Sequence, residues 1–229
     1  MKTYSKRIKI AREKITEVEY SVESAIPVLK QMAAVNFIES VEAHFCLNID
    51  PKYADQQLRT TVVLPNGTGK SIKIAVLAPD EKHEEAKTNG ADIVGSNELI
   101  DEIKKGNLNF DLLIATPDMM PKIATLGKIL GPKGLMPSPK GGTVSSDLTS
   151  TLNEFKKGKL EYRADRTGIV HVSFGKINFT EEQLVENLLA LYKSIEQNKP
   201  TGVKGKYFES FYIAKTMSPS VKIDLTSLI

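Results

Sequence analysis

Cysteine, tryptophan and histidine are scarce in this chain. Its 229 residues contain one cysteine, Cys46, no tryptophan and three histidines. A single cysteine excludes a disulfide within the chain and a metal site built from several cysteines. His44, His83 and His171 each stand alone in the sequence, so their spacing indicates neither a metal pair nor a Ser-His-Asp arrangement. The sequence therefore predicts no catalytic residue, no metal site, no cofactor and no enzyme.

Long apolar runs are also missing. None approaches the ~20 residues that span a bilayer, and the N-terminal segment MKTYSKRIKIAREK lacks the apolar stretch of a signal peptide. We expect a mature N-terminus and no membrane contact. The formal net charge is only +3, but residues 2–14 hold six bases against one acid. All five arginines lie outside residues 60–160, which hints that the terminal parts contact phosphate.

The segment GTGKS, residues 67–71, invites comparison with a phosphate-binding loop. That loop requires a glycine at position 64 and a helix after the serine. Position 64 is Leu64, and Ser71 is followed by the apolar run IKIAVLA, which predicts a strand. A nucleotide-binding enzyme is thus the weaker alternative, and the segment is interpreted as a crossing between domains.

The two ends of the chain show the patterns of half-buried elements. Residues 41–49, VEAHFCLNI, alternate apolar and polar side chains as a half-buried strand does. Helical spacing precedes them, from Val22 to Ala33. Towards the C-terminus we predict a hairpin over residues 160–175, an amphipathic helix capped by Thr180, and two strands over residues 206–225.

The middle of the chain alternates short, wholly apolar strands with helices. Such strands are typical of a parallel sheet buried on both faces. One helix is predicted over residues 120–131, and another from a cap at Ser146 or Asp147. The predicted fold is an α+β split (discontinuous) domain, residues 1–67 and 160–229, interrupted by an inserted Rossmann-like α/β domain, residues 68–159.

Two segments are unusual in composition. Residues 119–146 contain four lysines, four prolines and no acid. This loop either presents backbone N–H groups and lysines to a phosphate backbone or packs Leu130, Leu135 and Met136 over the sheet edge, and the sequence leaves both open. The C-terminal Met-Ser-Pro turn offers a thioether and hydroxyls, which suit contact with ribose, although a plain hairpin explains it equally.

Three segments of the chain resemble one family. ILGPKGLMPSPKGGTV, DPKYADQQLRTTVVLPNGTGK and TMSPSVKI closely resemble, in the same order, the large-subunit ribosomal protein of the mobile stalk, the L-one family, in its bacterial and plastid form. The resemblance covers essentially the whole chain. It implies a structural protein of the large ribosomal subunit that binds the stalk helices of the large-subunit rRNA beside the exit site and assists release of deacylated tRNA. It further implies a repressor role on the protein's own mRNA.

The resemblance also implies which residues contact RNA. In the first contact segment, Phe37 would pack on ribose, while Glu39 and Ser40 would hydrogen-bond the RNA. The remaining implied contacts come from Arg163 and from the C-terminal turn, Thr216, Met217 and Ser218. Lys133 and Lys140 would form a secondary basic loop.

Two positions depart from the family pattern. Asn36 replaces the usual lysine, and Ser218 replaces the glycine after Thr-Met. Each departure is expected to weaken RNA binding by about one contact. The sequence of residues 50–65 most resembles the cyanobacterial and plastid branch of the family. This resemblance favours a ribosome of the chloroplast stroma, with the gene in the plastid, over the bacterial cytoplasm.

Overall fold

The computed structural model describes residues 5–32, 35–203 and 205–228. The chain divides into two compact units. The terminal unit comprises Met1–Gly69 and Leu160–Ile229, and the middle unit comprises Lys70–Lys159. Both contain helices and sheets, so the predicted mixture of α and β structure is confirmed. Ala33, placed in the predicted N-terminal helix, lies outside the described residues.

The helices and strands are interspersed along the chain. In order they are α1 Lys6–Glu13, α2 Val22–Gln31, β1 Ser40–Leu47, β2 Arg59–Val63, β3 Ile74–Leu77, α3 His83–Thr88, β4 Ile93–Gly95, α4 Asn97–Lys104, β5 Leu112–Ala115, α5 Met120–Ala124, α6 Gly127–Leu130, α7 Leu148–Lys156, β6 Lys159–Arg163, β7 Ile169–Lys176, α8 Glu181–Gln197, β8 Phe208–Lys215 and β9 Val221–Ile223.

A four-stranded antiparallel sheet organises the terminal unit, with the strand order β7-β1-β8-β9. The predicted alternation along β1 is confirmed, because Val41, Ala43, Phe45 and Leu47 are buried and the residues between them are half-buried. The buried face packs against α2 and α8 in one continuous apolar core. Burial of this face supplies the main driving force for folding of the unit.

Helix α8 begins at a capping box. The Thr180 side chain accepts a hydrogen bond from the Gln183 backbone N–H, and the Gln183 side chain accepts one from the Thr180 N–H. The predicted cap is therefore confirmed. One face of the helix is buried, as the sequence predicts, and it carries Leu184, Leu188, Leu191 and Ile195.

The hairpin predicted over residues 160–175 is wrong in its pairing. β6 pairs with β2 in a separate two-stranded sheet, whereas β7 pairs with β1. The two segments are joined by one isolated bridge, between Ala164 and Val170, and by the bond from the Asp165 N–H to Ile169 O (2.9 Å) in the turn. Cross-strand packing decides strand partners, and the turn at Asp165–Gly168 suits either arrangement.

A three-stranded parallel sheet organises the middle unit, with the strand order β4-β3-β5. All four residues of β3 are buried, which explains its continuous apolar sequence. Ala75 and Leu77 pack against a core with α4 and α5. Ile74 and Val76 pack against a second core with α7.

One helix prediction in the middle unit needs correction, and for a second helix the structure decides between the two predicted caps. The helix predicted over residues 120–131 is broken into α5 and α6. At the break the Leu126 N–H donates to Ile123 O (2.8 Å), which is the i to i−3 bond of a tighter 3₁₀ turn. Gly127, the next residue, has a low helix propensity. For α7, the cap is Asp147 and not Ser146, because the Asp147 carboxylate accepts from the Ser150 N–H.

Candidate nucleic-acid interface

The start of β1 and the turn after β8 lie side by side, although they are far apart in sequence. The Ser40 N–H donates to Thr216 Oγ1 (3.1 Å), and the Thr216 N–H donates to Ser40 O (3.2 Å). This contact follows from the antiparallel register, in which Val41 lies opposite Lys215. The structure thus brings together two of the predicted segments, residues 36–40 and 216–218.

A buried ion pair holds these two segments. Glu39 Oε2 lies 3.0 Å from Lys215 Nζ, and the side chains are only 3% and 2% exposed. Glu39 Oε1 accepts the Met217 backbone N–H (2.9 Å), while Lys215 Nζ also donates to Met32 O (3.4 Å). Both carboxylate oxygens of Glu39 are engaged within the protein, so the side chain fixes the backbone of the turn.

Large apolar side chains project from both segments. Phe37 is 53% exposed, Ile38 57% and Met217 47%. Exposed apolar residues that occur together commonly mark a binding surface. The backbone of Met217 is held by the Glu39 carboxylate, and Phe37 and Ile38 directly precede Glu39 in the chain. The pairing of the two segments thus places Phe37 and Met217 in the same part of the terminal unit. We call residues 36–40 and 216–218 together the turn region.

Ser218 closes the turn. Its hydroxyl accepts the Lys215 N–H (2.9 Å), and its own N–H donates to Lys215 O (3.1 Å). No non-glycine residue of the described ranges has a positive φ. Serine therefore fits this position without left-handed backbone strain, although the family pattern has glycine there.

Basic side chains that the sequence did not single out border the turn region. Arg7 Nη1 donates to Met217 O (2.8 Å), and Lys176 Nζ donates to Ser40 Oγ (2.9 Å). Lys30 Nζ donates to Phe179 O (2.6 Å). The basic run in residues 2–14 could have indicated that Arg7 lies at a binding surface. The sequence contains no such indication for Lys176, because its position beside Ser40 depends on the pairing of β7 with β1.

Arg163 lies away from the turn region within the terminal unit. It precedes Ala164, which bridges Val170, and Val170 lies opposite Phe45 on β1. Ser40 is five residues back along β1, which corresponds to about 17 Å. The structure therefore does not bring Arg163 together with the other predicted contacts of this unit.

The two lysines of the secondary loop belong to the middle unit. Lys133 and Lys140 are exposed. Leu130 is buried, and Leu135 and Met136 pack partly buried against the core beside α5. The loop thus packs its apolar side chains against the core, as one of the two interpretations predicts. Lys133 and Lys140 take no part in this packing.

The GTGKS segment has the backbone of a turn. Gly67 and Gly69 have positive φ, and β3 begins at Ile74, so a strand follows the segment. Asn187, which is fully buried, accepts the Asn66 N–H (3.0 Å) and donates to Gly67 O (3.0 Å). The segment is held against α8 as a connection and lacks the strand-to-helix geometry of a phosphate loop.

The prediction that each histidine stands alone is wrong for two of them. His44 Nδ1 lies 2.9 Å from His171 Nδ1, because the two residues are opposite each other on β1 and β7. His171 Nε2 lies 3.7 Å from Asp165 Oδ2. Burial lowers the pKa of His44, and the neighbouring His171 lowers it further.

The described ranges hold no cluster of three or more His, Cys, Asp or Glu residues able to hold a metal ion. Within the same ranges, no helix combines the length and apolarity that crossing a membrane would require.

The sequence of the chain is that of a ribosomal protein family. The profile of the Ribosomal protein L1p/L10e family matches residues 29–219, and the chain belongs to this family. It is accordingly a structural protein of the large ribosomal subunit and associates with rRNA. The recognition drawn from the three sequence segments is confirmed.

Curated relatives match the chain along nearly its whole length. It is 66% identical over 226 residues to the large ribosomal subunit protein uL1c of Phaeodactylum tricornutum, covering 98% of each chain. It is 57% identical over 229 residues to uL1c of Porphyra purpurea, covering 100% of each. It is 58% identical over 228 residues to uL1 of Prochlorococcus marinus subsp. pastoris, covering 100% of this chain and 97% of the relative. The two uL1c relatives confirm the predicted location, a ribosome of the chloroplast.

Proposed function

We propose that the turn region binds the stalk helices of the large-subunit rRNA through shape more than through charge. The observation that carries this proposal is the convergence of residues 36–40 and 216–218, which leaves Phe37 and Met217 exposed beside the bonds of Ser40 and Glu39 that join the two segments. Exposed aromatic and thioether groups suit packing on ribose and bases, and the hydroxyls of Ser40, Thr216 and Ser218 suit bonds to 2′-OH groups.

In this proposal Glu39 has an indirect role. Its carboxylate oxygens bond Lys215 and the Met217 N–H, so Glu39 positions Met217 for the RNA. Arg163 contributes a separate phosphate contact, since its guanidinium is exposed and suits a phosphate oxygen.

We further propose that the middle unit is an inserted Rossmann-like α/β domain. The parallel order β4-β3-β5 with helices on both faces supports this. Its exposed Lys133 and Lys140 form the secondary basic loop. Beside the exit site the protein assists release of deacylated tRNA, and it acts as a repressor of its own mRNA.

The experiment that tests the proposal is a salt series of binding to the stalk RNA of the same species. We compare the wild type with Met217→Ala and with a matched control, Val63→Ala, because Val63 and Met217 are equally exposed at 47%. Met217→Ala should cost about 1–2 kcal/mol of binding free energy, the size of a lost packing contact. The salt slope should stay unchanged, since no charge is removed.

Val63→Ala should bind as the wild type does. A scrambled stem of equal length serves as the RNA control. Weak, steeply salt-dependent binding that is indifferent to Met217 would overturn the assignment of the turn region.

A further inference from the structure

We propose that the exposed side of α1 is a second RNA-binding surface, which contacts the phosphate backbone next to the turn region. The inference rests on the proposed function, because it places the same RNA against a further part of the chain. Nothing in the family resemblance assigned a role to this helix.

The charge of α1 is mostly positive, with Glu13 as an acid at the end of the face that carries Lys6 and Lys9. The helix contains Lys6, Arg7, Lys9 and Arg12, its first turn has no acid, and Glu13 is its one acid. Lys6, Lys9 and Arg12 are exposed. Among the described residues, no carboxylate lies within ion-pair distance of Lys6 or Lys9. These ammonium groups are therefore available to an external anion, whereas most lysines of a solvated face lie beside carboxylates.

The spacing of these bases places them on one side of the helix. Lys6 and Lys9 are three residues apart, which brings their Cβ atoms to about 5–6 Å of each other. Arg12 continues the same row. The opposite side is anchored, because Ala11 is buried in the core of the terminal unit. A row of bases on an anchored helix matches a row of phosphates along one strand.

A direct contact fixes α1 beside the turn region. Arg7 Nη1 donates to Met217 O (2.8 Å), the carbonyl of the residue that is proposed to pack on ribose. An RNA strand that covers Met217 must therefore pass close to Arg7. The eight-residue helix is about 12 Å long. Lys6 adjoins Arg7 in sequence, whereas Lys9 lies on the other side of the helix from Arg7, so an RNA strand that contacts both lysines must extend across α1 beyond the Arg7 contact. Charge complementarity and continuity with the turn region both favour RNA as the occupant.

The chemistry of this surface differs from that of the turn region. Lysine acts as a hydrated point charge, which binds phosphate without reading sequence. We expect α1 to raise affinity uniformly and to steepen the salt dependence, while Met217 and Phe37 supply selectivity. The surface also offsets the phosphate contact that Asn36 no longer provides in place of lysine.

The test uses the full chain, the stalk RNA of the same species and a salt series. The variant is Lys6→Gln/Lys9→Gln. The matched control is Lys52→Gln/Lys193→Gln, which also lowers the formal net charge of +3 by two. Lys52 and Lys193 are exposed in the same unit. Lys52 follows the far end of β1, and Lys193 is about 20 Å along α8 from its Thr180 cap.

We expect the α1 variant to bind about tenfold more weakly near physiological salt, with a salt slope smaller by about 2, one unit for each lost phosphate contact. The control should stay within about twofold of the wild type. Thermal unfolding of both variants, which alter exposed side chains only, should match the wild type.

The outcomes separate the two proposals. If the wild type prefers stalk RNA over the scrambled stem, but the α1 variant and the control bind equally, the inference about α1 is overturned and the turn region stands. If the wild type shows no preference for stalk RNA, the proposed function itself is overturned. A loss confined to the α1 variant, with its reduced salt slope, supports the inference.

Discussion

Glu39 and Lys215 show how single residues control the turn region. Their ion pair is buried, and each partner also bonds a backbone group of another segment. A buried charge that loses its partner is strongly destabilising, because it retains the desolvation cost without compensation. Sequence resemblance assigned Glu39 to RNA contact, whereas its burial assigns it to the positioning of Met217.

Glu39→Gln should lower the free energy of unfolding by about 3–5 kcal/mol, because Lys215 is left buried without a counter-charge. The double variant Glu39→Gln/Lys215→Met should lose less than the sum of the two single variants. Urea denaturation measures all three. Strict additivity would show that the pair does not couple.

The same carboxylate gives a prediction for RNA affinity. If Glu39 acts through Met217, then adding Glu39→Gln to Met217→Ala should weaken stalk RNA binding little beyond Met217→Ala alone. A direct contact between Glu39 and RNA would instead make the two losses add. Binding is measured at a temperature where all variants are folded, so that the cycle reports affinity and not stability.

The His44–His171 pair predicts a pH dependence. His44 has a folded-state pKa below its unfolded value of about 6.5, so the unfolded chain binds more protons. The free energy of unfolding should therefore fall as the pH drops below about 6.5. Glu42, Asp165 and His171 are the neighbouring titratable groups that act on this pair.

His44→Gln should flatten this dependence. The measurement is urea denaturation between pH 5 and 7.5, above the range in which Asp165 with its lowered pKa takes up a proton. An unchanged slope in the variant would show that His44 is not the group that titrates.

At the scale of elements, the caps decide where helices begin. Thr180→Ala should lower the free energy of unfolding by about 1 kcal/mol, because the Gln183 backbone N–H loses its acceptor, the Thr180 hydroxyl. Ser5→Ala is the control, since Ser5 precedes α1 without any side-chain cap bond. Its unfolding should stay close to that of the wild type. Equal losses in the two variants would contradict the prediction.

At the scale of the whole molecule, the chain leaves and re-enters the terminal unit at adjacent points. β2 and β6 are paired, and the Ala164 N–H donates to Leu58 O (3.0 Å). Leu58 directly precedes β2 and Ala164 directly follows β6, so the two strands run in opposite directions. The end of β2 therefore lies beside the start of β6. Neighbouring strands are about 4.8 Å apart. A short linker can therefore replace the middle unit without strain on the sheet.

Replacement of residues 70–159 by a short Gly-Ser linker should give a protein that unfolds cooperatively and binds stalk RNA within about threefold of the wild type. Circular dichroism and the binding assay measure these properties. The same protein with Met217→Ala is the control and should lose affinity as the full chain does. A linker variant that folds but does not bind would place essential contacts in the middle unit.

Local sequence patterns determined the elements. The alternation along β1, the capping box at Thr180 and the apolar run of β3 each report how one segment is buried, so they can be interpreted without the rest of the chain. The break between α5 and α6 is the exception. Gly127 disfavours a helix by only about 1 kcal/mol relative to alanine, and tertiary packing can outweigh a difference of this size. The sequence alone therefore does not decide whether the helix continues through this position.

Tertiary structure decided which elements meet. The pairing of β6 with β2, the contact of His44 with His171 and the ion pair of Glu39 with Lys215 all join residues that are far apart in the sequence. Such contacts depend on strand register, which cross-strand packing sets and a single segment does not encode. By itself the sequence determined the family and most of the helices and strands. The folded sheet decided that residues 36–40 and 216–218 meet, because only the register of β1 and β8 brings these segments together.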